Sequence, residues 1–305
     1  MSLLTTHFEI LSFPFELTTN DKKFFDEFLE LNSALILPGD GKLPQAQYSV
    51  IKNTKYFCIR ENGKFRNRWV HRWPLYLSVM MCVRDSLYQH LKEYLFLHSG
   101  AVAKGNNKAV LLPGPSGSGK STLTLGLLNY GYQYLTDEVV VISLSDLRVL
   151  PFQRPIYIYG WQSTVSDDVG KHFKFYRFKE RYENTVQPWQ YAVPQRDAVL
   201  PKDSRCEVAW IIFPRYNETQ KGSCLRPISK AEAAFKLIQN EWNMQCFSDY
   251  GLKLCAELVK KADCYQLLMG DLKEACELIE KLTGEAAVSV EPEILNNIWK
   301  RKVLL

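Results

Sequence analysis

One octapeptide restricts this chain more than any other feature: Gly114-Pro115-Ser116-Gly117-Ser118-Gly119-Lys120-Ser121, which fits G-x-x-x-x-G-K-[ST]. Glycines at these spacings let successive backbone N–H groups turn inward around phosphate oxygens. A helix starting near Gly119 aims its positive end at the same anion. Lys120 adds a point charge for the outer phosphates, and the Ser121 hydroxyl, followed by Thr122, is placed to ligate magnesium. The motif demands a buried strand before it and a helix after it. KAVLLP precedes it and STLTLGLL follows. The expected ligand is therefore ATP with Mg2+, cradled by residues 114–122, in an α/β fold.

Two acids follow at a telling distance. Asp137 lies seventeen residues beyond Lys120, with Glu138 next to it. A helix of about twelve residues and a returning strand of about five each span roughly 18 Å. A right-handed β-α-β unit would make the two strands parallel and bring both acids to the sheet edge that holds the loop. An acidic group there can hold magnesium, directly or through water, or accept the proton of an attacking hydroxyl, and spacing does not divide these roles between Asp137 and Glu138. The immediate return, without inserted elements, argues against a motor ATPase.

His98 joins them by register. With residues 104–107 as a turn between strands 95–103 and 108–112, His98 is expected opposite Pro113, beside the first glycine of the loop. A histidine there would tune the base or contact the transferred phosphate.

Elsewhere the patterns are plainer. Asp21–Leu31 carries a helical stripe of Phe24, Phe25, Phe28 and Leu29, and residues 47–60 read as two short strands. Residues 74–96 are expected to form one long helix opening on proline. Residues 144–205 read as ordered but irregular, in the position of a lid. Ser229 with Glu232, and Asp271 with Glu274, mark capped helices, with a further helix over 252–261. A short amphipathic tail helix is expected over 291–301. These patterns divide the chain into an N-terminal α+β part (1–94), a catalytic unit (95–285) and a tail (286–305).

Composition excludes several classes. Hydrophobic residues make up 46% and charged residues 23%, ordinary for a globular chain. A net charge of +5, scattered over 305 residues, does not suggest nucleic acid. No apolar run approaches the roughly 18 residues of a membrane span, and the N-terminal MSLLTTHFEI lacks the marks of a signal peptide. The eight cysteines lack zinc spacing and are expected as free thiols of a cytoplasmic protein. Arg154, Arg215 and Arg226 flank expected strand ends and are candidate phosphate clamps.

LHSGAVA (97–103), GPSGSGKST (114–122) and LTDEVV (135–140) together resemble the catalytic domain of the HPr kinase/phosphorylase family. Looser likeness runs through residues 154–156, 207–216 and 226–233, closer to the HPr kinase-related group than to HPr kinase itself. The resemblance implies a P-loop kinase with a PEP carboxykinase-like core of mixed sheet and flanking helices. It also implies phosphorylation of a serine hydroxyl, with His98, Lys120, Asp137 and Glu138 as catalytic residues and Ser121 and Asp137 as metal ligands. Glutamate stands at 138 where the family has a second aspartate, and the family's later E-[IV]-R-G segment is not found. RPIYIYG (154–160) is its nearest counterpart and lacks the glutamate. This points away from HPr and toward another serine-bearing protein or peptide as acceptor. A small-molecule hydroxyl acceptor and a nucleotide-dependent binding module without transfer activity are the competing readings. The sequence leaves a homo-oligomer open.

Overall fold

The computed structural model describes residues 2–38, 41–105, 107–159, 172–182, 185–240, 243 and 249–284. Among these residues the chain is a mixed α/β protein with three sheets and flanking helices. The tail helix expected over 291–301 lies outside the described residues, as do residues 160–171 of the expected lid.

The N-terminal part opens with an antiparallel hairpin, β1 (Leu4–Ile10) and β2 (Phe13–Thr19), neither of which the sequence reading anticipated. Helix α1 (Lys22–Leu31) starts where expected: the Asp21 carboxylate accepts the Phe24 N–H at 2.8 Å, satisfying an otherwise orphaned donor. It buries Phe24, Phe28 and Leu31. Strands β3 (Leu37–Pro38), β4 (Ala46–Lys52), β5 (Phe57–Glu61) and β6 (Lys64–Trp69) complete a sheet ordered β3-β1-β2-β4-β5-β6. Helix α2 (Trp73–His90) follows.

The long helix expected over residues 74–96 ends early, capped at Leu91, and the chain enters strand β7 (Tyr94–Lys104). The reason is burial on both faces. Leu95 and Leu97 enter one core and Phe96 another, an alternation that a strand satisfies and a helix does not.

Strand β8 (Lys108–Pro113), helix α3 (Lys120–Leu128), β9 (Gln133–Thr136), β10 (Val139–Ser143) and β11 (Val149–Leu150) come next. The described part of residues 144–205 is not irregular as anticipated. Strands β12 (Ile156–Tyr159), β13 (Phe173–Tyr182) and β14 (Thr185–Pro194) form an antiparallel sheet ordered β12-β14-β13. Then follow β15 (Glu207–Tyr216), β16 (Ser223–Pro227), α4 (Lys230–Ile238), α5 (Asp249–Lys261), β17 (Asp263–Met269) and α6 (Leu272–Gly284).

The central sheet runs β11-β10-β7-β8-β15-β17-β16, with β9 also paired to β7. Strands β8, β15 and β17 are parallel, so their C-terminal ends share one edge. Strand β9 is not adjacent to β8. Both run antiparallel to β7, which lies between them, so they point the same way.

Leu123 and Leu127 of α3 and Ile279 of α6 pack on one face of this sheet. Leu237 of α4 and Leu254 and Leu258 of α5 pack on the other. Each fully buried leucine or isoleucine contributes roughly 1.5–3 kcal/mol. A third core joins the N-terminal sheet and α2 to Phe96, Val139 and Val141.

Candidate active site

Strand β8 ends at Pro113 and α3 begins at Lys120, so the glycine loop spans the end of a buried strand and the start of a helix. Gly117 (φ 81°) and Gly119 (φ 95°) adopt left-handed backbone that L side chains rarely take. At Gly114 the constraint is space: a Cβ there would lie 2.7 Å from the Ser118 hydroxyl.

The Lys120 side chain is buried. Its Nζ donates to the carbonyls of Gly114 (2.8 Å) and Pro115 (2.9 Å), folding the ammonium back across the loop. Burial lowers its pKa, while Asp137 and Glu138 oppose that shift. Pro115, Ser116 and Gly117 are exposed, and Ser121 and Thr122 are half-buried.

Asp137 and Glu138 interrupt the edge that β9 and β10 share along β7. The register is unbroken across the gap, from Ala101 opposite Thr136 to His98 opposite Val139. The Val139 N–H donates to the Asp137 carbonyl at 3.0 Å, closing a three-residue turn with Glu138 at its centre. Glu138 has φ 68°, a strained setting for a side-chain-bearing residue.

The turn directs the two carboxylates into different environments. Asp137 is buried, and its Oδ2 accepts a 2.8 Å hydrogen bond from the Ser121 hydroxyl. Its Oδ1 is buried without a hydrogen-bond partner among the described residues. Burial, then the Glu138 charge, raise the Asp137 pKa to about 6 against the bond from Ser121. The Glu138 side chain is 50% exposed and pairs with the buried Arg154, Oε2 to Nη1 at 3.4 Å.

Arg154 was one of three candidate clamps, and the structure separates them. Its backbone carbonyl accepts the Tyr134 hydroxyl at 2.6 Å, and its Nε is buried without a hydrogen-bond partner among the described residues. Burial works against its charge, but Glu138 and the hydroxyls of Tyr76, Tyr88 and Tyr134 hold its pKa above the ordinary value. Arg215 and Arg226 are exposed on β15 and β16.

His98 is placed one residue away from the expected register. The connection uses residues 105–107 only, so Lys104 pairs with Lys108 and Ser99, not His98, faces Pro113. His98 lies level with Gly114, whose N–H approaches the His98 carbonyl at 3.5 Å. The His98 N–H donates to the Asn240 carbonyl at 2.6 Å. Burial, then the Lys120 charge, lower the imidazole pKa to about 4, so the ring is neutral at pH 7. His98, Lys120, Ser121, Asp137 and Glu138 thus gather at the C-terminal end of β8.

Sequence reasoning overlooked Gly100 and Thr124. A Cβ on Gly100 would lie 2.6 Å from the Thr124 hydroxyl and 3.6 Å from Asp137 Oδ1. Glycine therefore lets α3 settle onto β7 beneath the acid. A glycine inside a strand pattern is the signal that marks such close approach.

The oxygen donors suit magnesium. Among the described residues no group of three or more His, Cys, Asp or Glu converges as a metal cage. Magnesium is commonly held by one or two protein oxygens together with phosphates. The Ser121 hydroxyl and the unpartnered Asp137 Oδ1 are hard-oxygen donors of that kind. Among the described residues no helix is long and apolar enough to cross a membrane, and the cysteines are free thiols.

No protein-family model matches this chain, and no curated protein matches it. Among solved structures, the HPr(Ser) kinase/phosphatase from Coxiella burnetii aligns with 62% of this chain and 88% of its own, at 15% identity and a TM-score of 0.30. That is a weak similarity of fold.

Proposed function

We propose that this chain is an ATP-dependent kinase that transfers the γ-phosphoryl group to a serine hydroxyl of a protein or peptide other than HPr. The observation that carries this reading is the 2.8 Å bond from Ser121 to Asp137 beside a buried, unpartnered Asp137 Oδ1. It ties a phosphate-type loop to an acid poised for a cation. Glu138, turned the other way and half exposed, is a separate carboxylate open to an incoming hydroxyl. Nucleotide binding alone would need only the first of these. The serine acceptor comes from the sequence resemblance. Residues 95–285 would form the catalytic unit, with residues 1–94 packed against it.

In this reading the loop N–H groups receive the phosphates, and Lys120 exchanges the Gly114 and Pro115 carbonyls for phosphate oxygens. Ser121 and Asp137 would hold magnesium, which when bound neutralises charge on the outer phosphates. Glu138 orients the acceptor hydroxyl and takes its proton. The acceptor oxygen bonds to the γ-phosphorus as the bond to the β–γ bridging oxygen breaks, and ADP leaves. Arg154 holds Glu138 in place beforehand. His98, neutral at pH 7, adds no positive charge beside the base.

The test is incubation with γ-labelled ATP and cell lysate, then identification of the labelled species. The parent should label a serine-bearing protein or peptide. Lys120→Ala should abolish labelling while keeping the native circular dichroism spectrum. Undiminished labelling by that variant would overturn the assignment.

A further inference from the structure

Building on the phosphate-loop reading, we propose that Tyr216, at the C-terminal end of β15, is the shelf on which the nucleobase of the bound nucleoside triphosphate stacks. Strand order fixes the direction. In the run β10-β7-β8-β15-β17, the loop leaves β8, and His98, Asp137 and Glu138 all lie on the β7 and β10 side. The Ser121–Asp137 bond turns the reacting end of the loop toward that side. The terminal phosphate therefore faces β7 and β10, and the ribose and base leave across β15 and β17. Ligands of open α/β sheets occupy this edge, at the carboxyl ends of the strands.

Tyr216 stands on that exit path with its backbone fixed from both sides. Its N–H donates to the Ser118 carbonyl of the loop at 3.1 Å, and its Cβ lies 3.5 Å from where a Cβ on Gly119 would be. The Asn217 N–H donates to the Met269 carbonyl at 3.0 Å, and the Gly270 N–H to the Gly222 carbonyl at 3.1 Å, pinning the following turn to β17. The neighbouring apolar groups at this edge, Phe213 and Met269, are buried, whereas Tyr216 stays 50% exposed. A half-exposed aromatic ring on a backbone already held by the phosphate loop gives a flat apolar face at little cost in ordering. Stacking of this kind tolerates any base, so the site should discriminate weakly between ATP and GTP.

Calorimetric titration with Mg·ATP and with Mg·tripolyphosphate, which has no base, tests this. Tyr216→Ala should weaken ATP about tenfold and leave tripolyphosphate unchanged, and Tyr216→Phe should match the parent for both ligands. Unaltered ATP affinity in Tyr216→Ala, or an equal loss for both ligands, overturns the proposal. A parent that binds tripolyphosphate as tightly as ATP also overturns it, and leaves the loop assignment standing. A parent that binds neither ligand removes the loop assignment, and the shelf with it.

Discussion

Asp137 and His98 show how one small site shifts two residues in opposite senses. Burial and the Glu138 charge raise Asp137 from 3.8 to about 6, while burial and the Lys120 charge lower His98 from 6.5 to about 4. The protonated acid fits the fold better than the anion. The Asp137 contribution to stability is thus fully present below about pH 4 and is lost as pH rises through 6. The neutral imidazole fits better than the cation. The His98 contribution is present above pH 6.5 and is lost as pH falls through 4. Each is worth on the order of a few kcal/mol, and across pH 4–6 they oppose each other. The parent should therefore show a nearly flat contribution from this pair. Urea unfolding of Asp137→Asn should reveal stability that rises with pH between 4 and 6.5, and of His98→Gln stability that falls between 4 and 6. Parallel profiles for the parent and both variants would show that neither group is shifted.

At the scale of the element, the turn between β9 and β10 does the sorting. Thr136 and Val139, on either side of the turn, lie in one register along β7, so Asp137 and Glu138 are held apart by backbone conformation alone. That conformation places Glu138 at φ 68°, which costs a side-chain-bearing residue roughly 1–2 kcal/mol. Glu138→Ala keeps the strain and removes the Arg154 partner, so it should destabilise. Glu138→Gly loses the same partner and relieves the strain, so it should be about 1 kcal/mol more stable than Glu138→Ala by urea unfolding. The reverse order would mean that the turn is unstrained. This turn was only half legible in the sequence. The chain distance from Lys120 placed the two acids beside the loop, but two adjacent carboxylates carry no mark of which will be buried. The His98 register was missed by one residue because the hairpin turns through residues 105–107, with Gly105 at φ 31° and Asn107 at φ 55°, leaving Lys104 in the ladder. Helix α1 was legible because its cap and apolar stripe are local. Strands β12–β14 were not, because FKFYRF (173–178) mixes aromatics with charges, IYIY (156–159) and WQYA (189–192) are short, and only pairing across the chain tells such segments from loops.

Across the whole molecule, the N-terminal part is one wall of the site. Phe96 of β7, which carries His98, and Val139 and Val141 of β10, which follows Glu138, are buried in the same core as Val79, Met80 and Val83 of α2. Tyr88 of α2 packs tilted against Phe96 with ring centroids 4.7 Å apart, and Tyr76 meets Tyr191 of β14 at 5.1 Å. Arg84 of α2 lies close enough to help lower the His98 pKa, and Tyr76 and Tyr88 are among the groups that raise the Arg154 pKa. The chain therefore divides by sheet but not by core. A fragment beginning at residue 95 retains the glycine loop, both acids and His98, but uncovers Phe96, Val139, Val141 and Phe152, all buried in the full chain. Exposing four such side chains costs roughly 6–12 kcal/mol, which matches the 5–15 kcal/mol that holds a domain folded. The fragment should accordingly lack a cooperative thermal transition and bind a dye selective for exposed apolar surface. A fragment that melted cooperatively and bound Mg·ATP as tightly as the full chain would show that the catalytic unit needs no such wall.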